Sequence, residues 1–281
     1  MLNIAKRIQI IESLVLEDTA QSLTYAALES RLTIEFIFYE RFKLSHSHLS
    51  SEDLKDWRPK NILKQVLEEI NENVDKGFTV SISKDPILGK HPSTKEEYES
   101  IEYVPLGEQS AINLNLLNRF WQSFSGLALH IPVPTICSGE IEIYGDKSKT
   151  KNKLEKFLTY LSKIKDGNLL MGGMEGVDFC FNCYSCDSLI KKPVKYIKTS
   201  IIANCINLKC NESYLIEHDI ESRYKITKRC IKLQCNECKK DLEVPTNIFK
   251  KLKFEEQLQI NCVECKTHQT IIMYPLIKSN S

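Results

Sequence analysis

The sequence predicts an α+β protein, with a mainly α-helical N-terminal domain that includes a small strand element, followed by two tandem antiparallel β modules. Three patterns in the 281-residue chain indicate this. Apolar residues recur at helical spacing through the first half and alternate at period two at four places near the C-terminus. A short cysteine pair follows each of those four places. The expected domains span residues 1–170, 177–222 and 223–281.

Apolar stripes with helical spacing predict five helices in the first domain. They are expected over residues 4–16, 20–44, 59–73, 111–130 and 148–165. Asp18 and Thr19 offer an N-cap for the second helix, and Pro59 suits the first position of the third. The second helix is apolar over too broad a surface for an exposed element, so we expect it at the centre of a bundle.

The remaining part of the first domain is expected to be strand, turn and loop. Alternating apolar residues predict a strand over 78–83, whereas residues 84–107 are polar and rich in proline and are expected to form a surface loop. A short strand is expected around 140–144. The glycines of 171–176 lack the context of a nucleotide-binding loop, so this stretch is expected to be a linker.

Four short cysteine pairs lie near the C-terminus: Cys183 with Cys186, Cys205 with Cys210, Cys235 with Cys238, and Cys262 with Cys265. Two cysteines separated by two residues can bind one metal ion in a tight turn, called a knuckle below. Two such pairs complete the tetrahedral thiolate shell that structural zinc prefers. We therefore expect two structural Zn²⁺ ions, one bound by the first two pairs and one by the last two.

An apolar residue stands two and four positions before the opening cysteine of every pair. These residues are Phe179 and Phe181, Ile201 and Ala203, Ile231 and Leu233, and Leu258 and Ile260. Such alternation is typical of a half-buried strand, so each pair is expected to follow a strand. The repeated order of strand, knuckle and strand resembles that of zinc ribbons, although Cys205 and Cys210 have four residues between them instead of two.

Disulfides are the first competing interpretation of the cysteines. Charged residues such as Lys6, Arg7 and Glu12 interrupt any apolar run at the start of the chain, which argues against a secretory leader. The number of cysteines is eleven, which is odd, and a chain of this length can bury a core without covalent staples. We therefore expect reduced cysteines and a cytoplasmic location.

An iron–sulfur cluster is the second competing interpretation, because Cys180, Cys183 and Cys186 form a run with the spacing found in ferredoxins. No third cysteine precedes the other pairs at that spacing, which favours the two-residue knuckle and zinc. Cys137, Cys180 and Cys230 are then expected to be small buried apolar residues. His268 is a possible substitute ligand, but Cys265 fits the repeated knuckle better.

Charge is divided unevenly along the chain. Residues 1–179 carry 21 basic and 26 acidic side chains, whereas residues 180–281 carry 17 basic and 11 acidic side chains. Eight thiolates bound to two Zn²⁺ would lower the net charge of the second part from +6 to about +2. This is a weak electrostatic signal for nucleic acid. Membrane association is not expected, since no apolar run approaches the roughly 20 residues of a spanning helix.

Two basic stretches with interleaved tyrosines are candidates for nucleic-acid contact. They comprise Lys191, Lys192, Lys195, Tyr196 and Lys198, and then Arg223, Tyr224, Lys225, Lys228, Arg229 and Lys232. RNA or single-stranded DNA is bound by such combinations of basic and aromatic side chains. The alternatives are a solvated sheet face, whose lysines discourage edge pairing, and a surface that docks a protein partner.

Arg41 and His46 stand five positions apart near the end of the second helix. This short R-x4-H pattern resembles the motif of HEPN-type helical domains, many of which are metal-independent ribonucleases that act as dimers. The resemblance covers at most residues 1–130. It implies that Arg41 binds a phosphate, that His46 acts as acid or base, and that the helical domain forms a homodimer. Otherwise Arg41 is expected to pair with a carboxylate, and His46 and His48 to form a polar turn.

Taken with the cysteine pattern, these features favour a zinc-ribbon binding protein over an enzyme. We expect it to contact nucleic acid or to act as an adaptor subunit, with no chemistry at the metal ions. The alternative is an HEPN-like ribonuclease that uses Arg41 and His46 while its ribbons hold RNA.

Overall fold

The computed structural model describes residues 4–43, 45–54, 58–87, 89, 91–131, 143–167, 176–218 and 223–272. The chain forms two compact units. The helical unit consists of Met1–Ser45 and Asp56–Met174, and the ribbon unit consists of His46–Lys55 and Glu175–Ser281. Helices dominate the first unit and small antiparallel sheets the second, so the predicted α+β class is confirmed.

The five predicted helices are present. They are α1 (Ala5–Glu17), α2 (Ala20–Lys43), α3 (Pro59–Glu69), α5 (Leu114–Leu129) and α6 (Lys147–Ile164), with one short helix, α4 (Lys95–Glu99), that was not predicted. Thr19 caps α2, because its Oγ1 accepts a hydrogen bond from the backbone N–H of Ser22 at 2.9 Å. The third helix ends four residues earlier than predicted.

Helix α2 is the central element of the helical unit, as predicted, and it packs against α1, α3, α5 and α6. Its buried apolar residues are Leu23, Ala26, Ala27, Ile34, Ile37 and Phe38. Rings of Phe120, Phe124 and Phe157, whose centroids lie 5.2 to 5.9 Å apart, join α5 to α6. A helix surrounded by four others is expected to be apolar over most of its surface.

The prediction of a loop over 84–107 was wrong. This stretch contains α4 and most of β2 (Tyr103–Gln109), which pairs in antiparallel fashion with β1 (Phe78–Ser83). Pro105 and Gly107 interrupt the apolar alternation of β2, and the register shifts between Val80 and Ser81, opposite them. A bulge of this kind accommodates a proline in a strand, which hides the strand from pattern analysis.

Nine strands and one helix form the described part of the ribbon unit. They are β3 (Asp178–Asn182), β4 (Leu189–Pro193), β5 (Ser200–Asn204), β6 (Ser213–His218), β7 (Tyr224–Lys228), β8 (Cys230–Gln234), β9 (Asp241–Pro245), α7 (Thr246–Lys251), β10 (Gln257–Asn261) and β11 (His268–Ile272). They form the sheets β3-β4, β5-β6-β7, β8-β9 and β10-β11. The strands expected before each cysteine pair are therefore present. Strand β7 pairs with β6 of the first ribbon, although the second module had been expected to begin at residue 223.

Residues 46–55 belong to the ribbon unit although they follow α2 in sequence. After a single 3-10 turn at His46–His48, Ser50 and Asp53 bond reciprocally. The Ser50 N–H donates to Asp53 Oδ2, and the Asp53 N–H donates to Ser50 Oγ. This segment was expected to belong to the first domain, residues 1–170.

Several expectations fall wholly or mostly outside the described residues. The linker at 171–176 is described only at Gly176, the strand around 140–144 is described only as a bend at residues 143 and 144, and Cys137 is not described. None of the helices described is long and apolar enough to cross a membrane.

Candidate metal centres

The eight predicted cysteines come together as two clusters in the ribbon unit. One contains Cys183, Cys186, Cys205 and Cys210, and the other contains Cys235, Cys238, Cys262 and Cys265. Within each cluster all Sγ atoms lie within 4.8 Å of one another. Four thiolates placed tetrahedrally at about 2.3 Å from one ion are separated by about 3.8 Å. The clusters therefore have the dimensions of a four-thiolate metal site.

Individual sulfur–sulfur distances exclude disulfides among these eight residues. The measured separations are 3.8 Å for Cys183 and Cys210, 3.4 Å for Cys186 and Cys205, 3.6 Å for Cys235 and Cys265, and 3.6 Å for Cys238 and Cys262. A disulfide requires about 2.05 Å. The close pairs also join different knuckles, which is the pattern expected when one ion is shared by two of them.

Three of the four cysteine pairs have the same backbone conformation. In the first, the Cys183 N–H donates to the Ser188 carbonyl and the Asp187 N–H donates to the Cys183 carbonyl. The knuckles that open at Cys235 and Cys262 repeat both bonds. The residue after the second cysteine has positive φ in all three, at Asp187, Lys239 and Lys266. Such repetition at non-glycine residues shows that the turn is held by a constraint stronger than local preference.

The fourth pair, Cys205 and Cys210, reaches the first cluster by a longer loop. Asn207 shapes this loop, because its carbonyl accepts from the Cys210 N–H and its Oδ1 accepts from the Lys209 N–H. The Cys205 N–H donates to the Glu212 carbonyl, which continues the β5-β6 pairing up to the ligand. The two extra residues therefore lie in an asparagine turn that leaves both sulfur atoms in the cluster.

Hydroxyl groups beside the clusters favour the thiolate form of one cysteine in each. Ser188 Oγ lies 3.3 Å from Cys186 Sγ and lowers the pKa of Cys186 to about 6, and Thr267 Oγ1, at the same distance from Cys265 Sγ, lowers the pKa of Cys265 to about 6. By contrast, burial raises the pKa of Cys210 to about 11. Four ionised thiolates this close together require a cation to offset their charge.

Tyr214 supports the first cluster from behind. Its side chain is fully buried, its hydroxyl lies 3.2 Å from Cys183 Sγ, and its oxygen accepts from the Tyr184 N–H at 2.9 Å. Burial raises the pKa of this hydroxyl, so it stays protonated and can donate to the Cys183 thiolate. Such partners orient a metal ligand and were not predicted from the sequence.

Gln269 occupies the matching position in the second ribbon, four residues after the last cysteine of its cluster. Its Oε1 accepts from the Asn236 N–H at 3.3 Å, as Tyr214 accepts from Tyr184. The bond is longer than that of Tyr214 and the side chain is 8% exposed. In both ribbons, the N–H of the residue after the first cysteine of the cluster donates to this position, and the hydrogen bond is longer in the second ribbon.

The remaining candidate ligands lie outside the two clusters. Cys180 is exposed on β3, so the expectation that it would be buried was wrong, and Cys230 is half-buried. A strand alternates its side chains between two faces. Phe179 and Phe181 pack against the core of the first ribbon, so Cys180, which lies between them, points to the other face. His268 is exposed at the start of β11. Within the described residues, neither Cys180 nor His268 joins a metal-binding group.

Two of the basic candidates for nucleic-acid contact are engaged within the ribbon unit. Lys192 Nζ lies 3.1 Å from Asp53 Oδ2, and Lys228 Nζ lies 3.1 Å from Glu212 Oε1. Arg229 Nη1 donates to Ser213 Oγ at 3.4 Å, and Lys191 is half-buried. Lys192 and Lys228, and more weakly Arg229, are therefore bonded within the ribbon unit.

Other candidates gather at one end of the β5-β6-β7 sheet. The His218 N–H donates to the Thr199 carbonyl, and His218 pairs with Tyr224, so Lys198 and Arg223 flank the same sheet end. Both are exposed, as are Lys195 and Lys225. The Tyr224 ring packs against Phe179 with centroids 4.5 Å apart and planes tilted by 40°, and Lys195 Nζ lies 5.9 Å from the centroid of Tyr196. This end is opposite to the one that holds Cys205.

Arg41 and His46, the residues implied by the resemblance to HEPN-type domains, belong to different units. Arg41 is 3% exposed, its Nη2 donates to the Ser110 carbonyl at 2.7 Å, and burial lowers its pKa to about 10. His46 is exposed at the start of the 3-10 turn. The ribonuclease roles of both residues remain predictions.

Comparisons with protein-family models, curated proteins and solved structures find no match. The function must therefore be argued from the two clusters themselves. Each offers four thiolates and thereby fills the tetrahedral shell of one ion, whereas a catalytic site keeps a position open for water or substrate. Such clusters can hold metal ions that shape the fold around them.

Proposed function

We propose that this protein binds two structural Zn²⁺ ions and that its ribbon unit is a binding module for nucleic acid. The observation that carries the metal assignment is the presence of two four-cysteine clusters of tetrahedral dimensions. Four thiolates in this geometry suit zinc or iron, and a closed shell built from two short cysteine pairs is typical of structural zinc. A reducing compartment such as the cytoplasm keeps these thiolates available.

The proposal of nucleic-acid contact is supported by the sheet end around Lys198 and Arg223. Strand register brings basic side chains from two separate stretches of sequence to one place, next to the rings of Tyr224 and His218. Phosphates bind cationic side chains, and bases stack on aromatic rings. Because Lys192 and Lys228 are paired with carboxylates, we assign them no phosphate.

The metal assignment is tested by elemental analysis of the purified full-length protein. Two equivalents of zinc are expected. A protein purified without metal, or with its cysteines oxidised to disulfides, would contradict the proposal.

Nucleic-acid contact is tested by titrating fluorescent single-stranded RNA at several salt concentrations. The double variant Lys198→Glu, Arg223→Glu should bind at least tenfold more weakly, because charge reversal replaces attraction to phosphates with repulsion, and wild-type affinity should fall with salt. Lys250→Glu, Lys253→Glu is the matched control, since it makes the same change in charge at exposed residues of the ribbon unit outside both candidate stretches. Equal loss in both doubles would leave this sheet end without a special role, and no binding at low salt would favour an adaptor that docks a protein.

We do not adopt the ribonuclease alternative, because the Arg41 guanidinium is buried against a backbone carbonyl instead of being presented to a phosphate. Cleavage of RNA in the presence of a chelator, lost in both Arg41→Ala and His46→Ala, would restore that alternative.

A further inference from the structure

Residues 46–54, called the clasp below, are held to the rest of the ribbon unit by buried polar contacts. His48 is 2% exposed, and its Nε2 lies 3.0 Å from a carboxylate oxygen of Asp178 at the start of β3. Lys192 of β4 donates to the His48 carbonyl at 2.7 Å. Two pairs of polar groups that could otherwise bond to water are thus formed inside the unit: the His48 ring with the Asp178 carboxylate, and the Lys192 ammonium with the His48 carbonyl.

Asp53 joins the clasp to both hairpins of the first ribbon. Its Oδ2 lies 3.1 Å from Nζ of Lys192 in β4, and its Oδ1 accepts from Nδ2 of Asn204 in β5 at 2.5 Å. The side chains of Lys192 and Asp53 are only 12% and 8% exposed. One carboxylate therefore bridges two strands that belong to different sheets.

The first metal cluster bridges the same two hairpins. Cys183 and Cys186 lie in the knuckle between β3 and β4, and Cys205 directly follows Asn204 at the end of β5. No strand pairing joins β4 to β5 within the described residues. The distance between Lys192 and Asn204 therefore depends on the shared metal and on the buried side chains between the hairpins.

We propose that the clasp is a metal-dependent device, closed on the ribbon unit when the first cluster holds its ion and released when that ion is lost. The proposal rests on the metal binding proposed above. Asp53 can satisfy Lys192 and Asn204 together only at the separation that the cluster imposes. If the hairpins part, one of these buried polar groups loses its partner, which makes the closed clasp costly.

The clasp also reaches the second ribbon. Nδ2 of Asn247, a fully buried residue of α7, donates to Oδ1 of Asn204 at 2.8 Å. Glu52 of the clasp lies 2.7 Å from Nζ of Lys251 in the same helix. Asn204 is therefore shared by the clasp and by both ribbons, so movement of β5 is transmitted to all three.

Thermodynamic reciprocity gives the device a second consequence. If metal in the first cluster stabilises the closed clasp, the closed clasp must increase the affinity of that cluster for metal by the same factor. The Asp53→Asn change keeps the size of the side chain but removes the charge that faces Lys192. It should release the clasp and weaken metal binding by the first cluster about 5- to 20-fold, within the usual range of coupling between two sites.

The test is hydrogen–deuterium exchange of the full-length protein, followed by mass spectrometry of peptides covering residues 46–55, with metal content measured on the same samples. Cys205→Ser should lower the metal content to one equivalent and increase exchange in the clasp at least tenfold. Cys262→Ser is the matched control, since it should also lower the metal content to one equivalent. The clasp would lose its contact with Lys251 in this variant but should stay protected, because the intact first cluster keeps Lys192 and Asn204 in place for Asp53. Asp53→Asn, which leaves all cysteines intact, provides the reciprocal measurement of metal affinity by chelator competition.

The outcomes separate the two proposals. Increased exchange in Cys205→Ser but not in Cys262→Ser, with weaker metal binding in Asp53→Asn, supports the device. If the wild-type protein holds metal but the clasp is as well protected in Cys205→Ser as in the wild type, the device is overturned and the proposed metal sites stand. Wild-type protein without metal overturns the proposed function and the device with it.

Discussion

The two ribbons share a knuckle but differ in how it is supported. The first packs its cluster against a buried core that includes Ile190, Ile197, Ala203, Tyr214 and Ile216. One of its two sheets has a third strand, β7, and the clasp packs against it as well. In the second, the buried cluster consists of Leu242 with Cys235 and Cys262, while Leu233, Cys238 and Ile260 are partly buried around it. Cys265 is exposed, whereas Cys210, at the matching position, is half-buried.

This difference shows that the same coordination chemistry can contribute unequal shares of folding free energy. A module with several buried side chains retains some stability when its ion leaves, because apolar burial is unaffected by the metal. A module with few, such as the second ribbon with Leu242 and Val244, depends on the ion for its structure. The second ribbon should therefore be folded with its metal ion and unfolded without it. The first ribbon should only loosen when its ion is lost.

Metal removal should have the largest effect and should separate the ribbons. With increasing chelator, the second ribbon is expected to lose its ion first and unfold, because its cluster is more exposed and binding is coupled to folding, with free energies of about 10–16 kcal/mol for structural zinc. Hydrogen exchange of peptides from β10 and β11 should rise before that of peptides from β5 and β6. If both ribbons unfolded at the same chelator concentration, the proposed difference between them would be contradicted.

Truncation of a core residue should be next in size. Leu242→Ala is expected to cost about 2–5 kcal/mol and to abolish metal retention by the second ribbon, since little other apolar surface is buried there. Ile190→Ala in the first ribbon is the matched control. It removes a similar side chain, but its ribbon should keep its ion. Metal content and near-ultraviolet circular dichroism are measured for both variants. Equal metal loss in the two would contradict the claim that the second ribbon has less support from buried side chains.

Removal of the supporting hydroxyl should have a smaller effect. Tyr214→Phe leaves the Tyr184 N–H without its acceptor and the Cys183 thiolate without its donor, so we expect a loss of about 1–3 kcal/mol and metal binding about 10- to 100-fold weaker. Chelator competition measures the affinity.

The corresponding change in the second ribbon, Gln269→Met, should have the least effect, because it removes a longer bond to Asn236 at a less buried position. A larger effect of Gln269→Met than of Tyr214→Phe would show that the Tyr214 hydroxyl supports the first cluster less than its bonds to Cys183 and Tyr184 indicate.

The metal clusters could be predicted because their signal is local. Knuckle spacing and the alternation before Cys183, Cys235 and Cys262 are short-range patterns, and coordination geometry dictates which pairs combine. The helices were predictable for a similar reason, since each displays its own period. Within residues 84–107, the reciprocal bonding of Thr94 and Glu97 was a readable signal for α4 that the polar composition concealed.

Features that depend on distant residues were not predictable. The engagement of Lys192 and the burial of Arg41 are each decided by partners far along the chain. Arg41 donates to the carbonyl of Ser110, 69 positions away, and Lys192 meets Asp53 across 139 positions. A basic residue in a strand looks the same in sequence whether it faces water or a buried carboxylate. The placement of β7 in the first ribbon likewise required knowledge of its pairing with β6.

The position of the clasp has a consequence for synthesis on the ribosome. Asp53 emerges 151 residues before Asn204, which corresponds to about 8–30 s of translation at about 5–20 residues per second. During that interval the helices that flank residues 46–55 can assemble, but the clasp has nothing to close on. No single cut in the polypeptide separates the two units, so residues 175–281 expressed alone would lack the contacts that Asp53 makes with Lys192 and Asn204.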